Sequence, residues 1–156
     1  MRSLRCLLVL AVLGFSVTAC DAFERRDRSY QENPKLEFDP LSATVDESES
    51  GTATVTVNVN LIGPRQSSPV DVSFAADDSS SAQAGTHFNL PSTSASIEAD
   101  SSSTEVTIEV LGNDQDDGGS NYVLYLSLQD PNDGDNIEPA TNLRTHTLTI
   151  RGLDEN

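Results

Sequence analysis

Residues Thr52 to Leu61 read TATVTVNVNL, and a strict two-residue alternation over ten positions leaves a chain few choices. It places Ala53, Val55, Val57, Val59 and Leu61 on one face and threonine and asparagine on the other, the pattern of a half-buried β-strand. The same period recurs in Val70-Asp71-Val72-Ser73-Phe74, in TEVTIEVL through Val106, Ile108 and Val110, in YVLYLSL through Tyr122, Leu124, Leu126 and Leu128, and in HTLTI through Leu148 and Ile150. No segment keeps apolar residues at helical spacing for three turns. Turn-formers separate the alternating runs: Gly63-Pro64, Asp77 to Ser81, Asn113 to Asn121, and DPNDGDN from Asp130 to Asn136. About seven strands spaced this way predict an all-β fold, an antiparallel immunoglobulin-like β-sandwich.

A different signal occupies the N-terminus. Arg2 and Arg5 precede the apolar run Leu7 to Phe15 (LLVLAVLGF), which is too short for a permanent membrane span. It ends in Val17-Thr18-Ala19-Cys20, which resembles the lipobox of bacterial lipoproteins. That resemblance implies a signal peptide over residues 1–19, lipidation of Cys20, and a mature protein held to a membrane of the cell envelope through its N-terminal lipid. Two or more acyl chains suffice for stable anchoring. Whether the domain faces the periplasm or the cell surface, and on which membrane, stays open. The only cysteines are Cys6 and Cys20, so the predicted mature domain has no disulfide.

Charge narrows the partners. The whole chain carries 9 basic and 25 acidic residues; cleavage before Cys20 removes Arg2 and Arg5 and no acid, leaving a net charge of about −18. Such a field excludes nucleic acid, whose affinity for proteins comes from cations that displace counterions. Lys35 is the only lysine. An acidic, lysine-poor surface suits high salt, where self-repulsion is screened, and equally suits ordinary solubility. From Cys20 to Pro34 the chain is charged and aperiodic, a predicted flexible linker. The sandwich is expected over 35–152 and an acidic tail over 153–156.

The order of segments resembles the Calx-beta domain, the calcium-binding sandwich module of sodium-calcium exchangers and many bacterial surface proteins. Phe38-Asp39-Pro40, Thr44-Val45-Asp46-Glu47 leading to Gly51-Thr52, and Ala82-Gln83-Ala84-Gly85-Thr86-His87-Phe88 carry the likeness, the last against the family's Ala-x-Ala-Gly-x-Asp-Tyr. Ala95 to Ile97, Thr104 to Leu111, Asn121 to Ser127 and Thr147 to Ile150 continue it. The residues by themselves call for no cofactor; the resemblance implies calcium, with Glu47, Asp114, Asp117 and Asp154 as its ligands. It also marks departures: His87 stands at the family's aspartate, Gly112, Asn113 and Ser120 replace other acids, and the terminal acidic triplet is Gly152-Leu153-Asp154.

Topology adds its own expectation. In a meandering sandwich alternate connections share one end, which would gather Glu47, Glu49, Asp77, Asp78, Asp114, Asp116, Asp117, Asp154 and Glu155. Calcium takes six to eight oxygens from such loops, yet a chain this acidic clusters carboxylates anywhere, and Asp130, Asp133, Asp135 and Glu138 crowd the opposite end. The DPNDGD run fails as an EF-hand, since its glycine falls early and Thr141 takes the twelfth place. His87 and His146 lack zinc-type spacing, no serine sits in a nucleophile elbow, and tryptophan is absent. The expected function is a non-catalytic binding or adhesion module on an envelope lipoprotein, with an envelope protein or glycan as partner. A structural spacer without a ligand and a calcium-binding domain are the alternatives.

Overall fold

A computed structural model describes residues 32–48, 51–112, 119–130 and 136–152, all within the compact unit Glu32–Asn156. Cys20 and the rest of the expected leader and linker up to residue 31 lie outside them. No helix occurs among the described residues.

The strands are β1 (Lys35–Asp39), β2 (Ser42–Asp46), β3 (Thr52–Ile62), β4 (Val70–Ala76), β5 (Phe88–Asn89), β6 (Ser94–Ile97), β7 (Ser103–Leu111), β8 (Asn121–Leu128), β9 (Glu138–Pro139) and β10 (Thr145–Arg151). They form two five-stranded sheets, ordered β5-β7-β3-β1-β9 and β2-β10-β8-β4-β6. The long alternating run is the centre of the first sheet, paired with β7 from Thr52↔Leu111 to Asn60↔Ser103 and with β1 from Lys35↔Ile62 to Asp39↔Asn58. In the second sheet β8 pairs with β10 from Asn121↔Arg151 to Ser127↔Thr145.

Alternation is why the layers close on each other. Val57, Val59, Val106, Ile108 and Val110 of one sheet and Leu124, Leu126, Leu128, Leu148 and Ile150 of the other are at most 2% exposed and join one core. Complete burial of each such side chain stabilises by about 1.5–3 kcal/mol. A register slip of one residue would turn these rows to solvent, so the pattern also fixes the pairing.

The seven-strand expectation holds for the main strands, with three additions. The first strand is split: β1 belongs to one sheet, and after the cis Asp39-Pro40 peptide β2 belongs to the other. Two pairings, β1 with β9 and β2 with β10, are parallel. The two-residue strands β5 and β9 are too short to show a period.

Candidate functional site

One end of the sandwich is tied together backbone to backbone. As β2 finishes, the Glu47 N–H donates to the Arg151 carbonyl at 2.8 Å, and the Glu47 residue is buried. The Gly112 N–H, just past β7, donates to the Gly51 carbonyl at 2.7 Å, and the Gly152 N–H donates to the Ser120 carbonyl at 3.0 Å. Both glycines are required by closeness. A Cβ on Gly112 would lie 2.5 Å from the Ser48 carbonyl oxygen, and one on Gly152 would press on the backbone of Gly119 and Ser120. Gly51 is required for another reason, a φ of 95° over open space. Asp46 and Arg151 form an ion pair at 2.8 Å across the β2–β10 edge.

The segment between β4 and β5 reaches the same end and finishes in a folded-in histidine. The Gln83 carbonyl accepts the His87 N–H at 2.8 Å, and the Gln83 N–H donates to Nδ1 of His87 at 2.9 Å. That second bond uses the Nδ1 lone pair, which places the ring proton on Nε2. His87 is 5% exposed and lies against Tyr122, ring centroids 3.8 Å apart. Its carbonyl accepts the Leu111 N–H at 3.0 Å. The turn therefore joins β7 and β8 around one imidazole.

Of the sequence-predicted ligands, Glu47 is at this end. Asp114, Asp117 and Asp154 lie outside the described residues, as do Glu49, Asp116 and Glu155. Asp77 is placed differently from the topological expectation. Its N–H donates to the Tyr125 carbonyl, so it lies beside the middle of β8, and Val123, nearer the end, accepts from Ser81 and Ala82 instead. The connection continues along β8 before reaching the end, which leaves its acids behind and delivers His87. Hydrogen bonds from the Ser79 hydroxyl and N–H hold the Asp77 carboxyl below the usual carboxylate range. At the opposite end Asp130 lies 3.9 Å from Arg144, exposed; Asp133 and Asp135 are outside the described residues.

No group of three or more histidine, cysteine, aspartate or glutamate side chains able to hold a metal occurs among the described residues. Glu47 supplies one carboxylate, and His87 offers a nitrogen whose lone pair is already engaged, where calcium takes hard oxygen donors. The described positions do not fit a calcium ion.

The family model of the Calx-beta domain matches residues 30–154. The chain belongs to the Calx-beta family. Among solved structures, the apo-form CBD1 domain of Calx is similar at 24% identity and TM-score 0.63, covering 79% of this chain and 100% of its own. The calcium binding domain CBD12 of CALX1.1 is similar at 24% identity and TM-score 0.59, over 76% of this chain and 44% of that one. A two-domain protein of unknown function from Bacteroides fragilis shares the fold at 9% identity and TM-score 0.61, over 78% and 46%. No curated protein matches the sequence. The two-sheet sandwich of this Calx-beta domain is thus that of its structural neighbours. The folded-in His87 and its stack on Tyr122 were missed in the sequence, where the Gly85-Thr86-His87-Phe88 run signalled only a departure from the family pattern.

Proposed function

We propose that this Calx-beta chain is a non-catalytic binding module, anchored in the cell envelope through lipid on Cys20, that presents the Glu47, His87 and Tyr122 end of its sandwich to an envelope protein or glycan. The observation that carries this reading is the packing of His87 between Gln83 and Tyr122. It orders the loop end with an imidazole at the position where the resemblance places a calcium-binding aspartate. A loop surface ordered in advance loses less entropy when a partner docks.

The lipid tether is supported by the Val17-Thr18-Ala19-Cys20 motif. Replacing Cys20 by Ala should abolish detergent partitioning, and unchanged membrane association would remove the anchor from the proposal. Binding is tested by capture from detergent-solubilised envelope, with His87→Ala as a variant at the presenting end and Asp130→Asn as a control at the opposite end. A partner kept by the control and lost by His87→Ala, with the circular dichroism of that variant still that of the folded sandwich under the capture conditions, supports the module. No partner captured by any of the three leaves a structural spacer, and a partner captured equally by all three moves the binding surface away from this end. Calcium binding is the second reading, favoured by family membership and by the burial of Glu47, the one described residue of the expected ligand set.

A further inference from the structure

His146 plays no part in the end just described, yet it is the one histidine wholly inside the core, at 0% exposure. It sits on β10 opposite Leu126 of β8, with the Phe38 ring of β1 tilted beside it at 6.0 Å. Its Nδ1 lies 2.7 Å from the Pro40 carbonyl oxygen. A carbonyl only accepts, so Nδ1 carries the proton and donates. Nε2 is then a bare lone pair, buried without a hydrogen-bond partner among the described residues.

We propose that His146 is a proton-operated latch on the crossover from β1 to β2, and that acidification releases this crossover and frees β2 from the edge of β10. A second proton would create an N–H at Nε2 with no acceptor and a charge with no counterion inside the core, both strongly unfavourable. Turning the ring out toward water relieves this and breaks the bond to Pro40. Among the described residues two backbone bonds flank the crossover: the Phe38 N–H donates to the Leu143 carbonyl at 3.0 Å and the Thr147 N–H donates to the Leu41 carbonyl at 2.8 Å. The strand so freed is five residues long at a sheet edge, laddered among the described residues to β10 alone and tied there at its far end by the Glu47 N–H and the Asp46–Arg151 ion pair.

Among the described residues, no titratable or charged group of the surrounding elements is arranged to neutralise that proton. On β1, Lys35, Glu37 and Asp39 alternate away from the buried Leu36 and Phe38. On β2, Asp46 pairs with Arg151 at the far end. On β8, Tyr125 points outward between buried Leu124 and Leu126, and Tyr122 lies against His87. Arg144 donates to the Leu128 carbonyl. Burial accordingly pushes the imidazole below the usual histidine range, and the Pro40 bond opposes this less strongly. A lowered value in the folded state means that the unfolded chain binds the extra proton first. Stability is therefore full above the free-histidine value, near 6.5, and is lost as pH falls below it.

Hydrogen exchange of the full chain in detergent, corrected for the intrinsic pH dependence of exchange, tests the latch. Between pH 7 and pH 5, amides of β2 should lose at least tenfold in protection while those of β3 and β7 hold. The His146→Asn chain keeps a donor toward Pro40 without a titrating group, and its β2 protection should not change with pH. Loss of β2 protection that persists in His146→Asn, or that proceeds in step with every other strand, would overturn the proposal. Should His146→Asn fail to fold, ring proton shifts of His146 in the native chain decide. The latch requires β2 opening to follow that titration, and opening at another pH rules it out.

Discussion

His87 and Tyr122 lie ring to ring, centroids 3.8 Å apart and planes inclined by 36°, so the turn before β5 is fastened directly to the first turnward residues of β8. The contact joins two segments far apart in sequence, and the Gln83 N–H holds the ring through its Nδ1. An imidazole in this position acts as a structural centre of the loop end.

Truncation at His87 should therefore be felt globally. His87→Ala removes a buried ring, its stack and the acceptor of the Gln83 N–H, and a loss of about 2–4 kcal/mol is expected in urea unfolding. His87→Asp should lose as much in the absence of calcium, because a carboxylate cannot replace the stack. A loss below about 0.5 kcal/mol, the range of ordinary surface changes, would show that the ring is incidental.

The two glycine mechanisms at this end can be separated. Gly112→Ala places a Cβ 2.5 Å from the Ser48 carbonyl oxygen, and overpacking of this kind costs about 1–3 kcal/mol. Gly51→Ala meets nothing within 4 Å and is strained only through its φ of 95°, about 1–2 kcal/mol. Asparagine, which tolerates positive φ better, should recover part of the loss at Gly51 and worsen it at Gly112. Thermal unfolding of the four variants checks the pattern.

How far the sequence carries is visible in these same residues. Val55, Val57 and Val59 alternate on one strand, a local property of consecutive residues, and the central strands and core faces follow from it. The split of β1 from β2 across two sheets is not local: Phe38 and Val45 both read as inward strand residues, and only their partners, β3 for one and β10 for the other, assign the sheets. Glu47 reached the expected end because β2 leads straight into it. Asp77 did not, because the connection after β4 runs on beside β8, a pairing that leaves no periodic trace in Asp77 to Ser81. His87 and His146 looked alike in sequence; one closes a loop and the other sits in the core, and the difference comes from contacts with Tyr122 and Pro40.

Ionic strength should act on the whole domain. A net charge of about −18 on the mature chain repels itself in dilute buffer, and the Debye length shrinks to about 3 Å at 1 M salt. The melting temperature should rise clearly between low salt and 1 M sodium chloride. A flat or falling curve assigns the acidic surface to solubility alone.

Calcium must be measured on top of that screening. In 1 M salt the general effect is saturated, and only an ion bound specifically to the folded state adds stability, by about 2.7 kcal/mol at a hundredfold excess over Kd. Calcium needs six to eight oxygens. The described end supplies one buried carboxylate, Glu47, together with an engaged imidazole and the backbone of Gly112, Ser120 and Gly152. The expected outcome is that millimolar calcium leaves the melting temperature unchanged and that Asp114→Asn, Asp117→Asn and Asp154→Asn respond to calcium as the parent does. If calcium instead raised the melting temperature more than magnesium, and Asp117→Asn removed that increment without altering the salt response, the acids beyond Gly112 and Gly152 would form a working site and His87 would not prevent it. The calcium-binding reading would then replace the calcium-independent one.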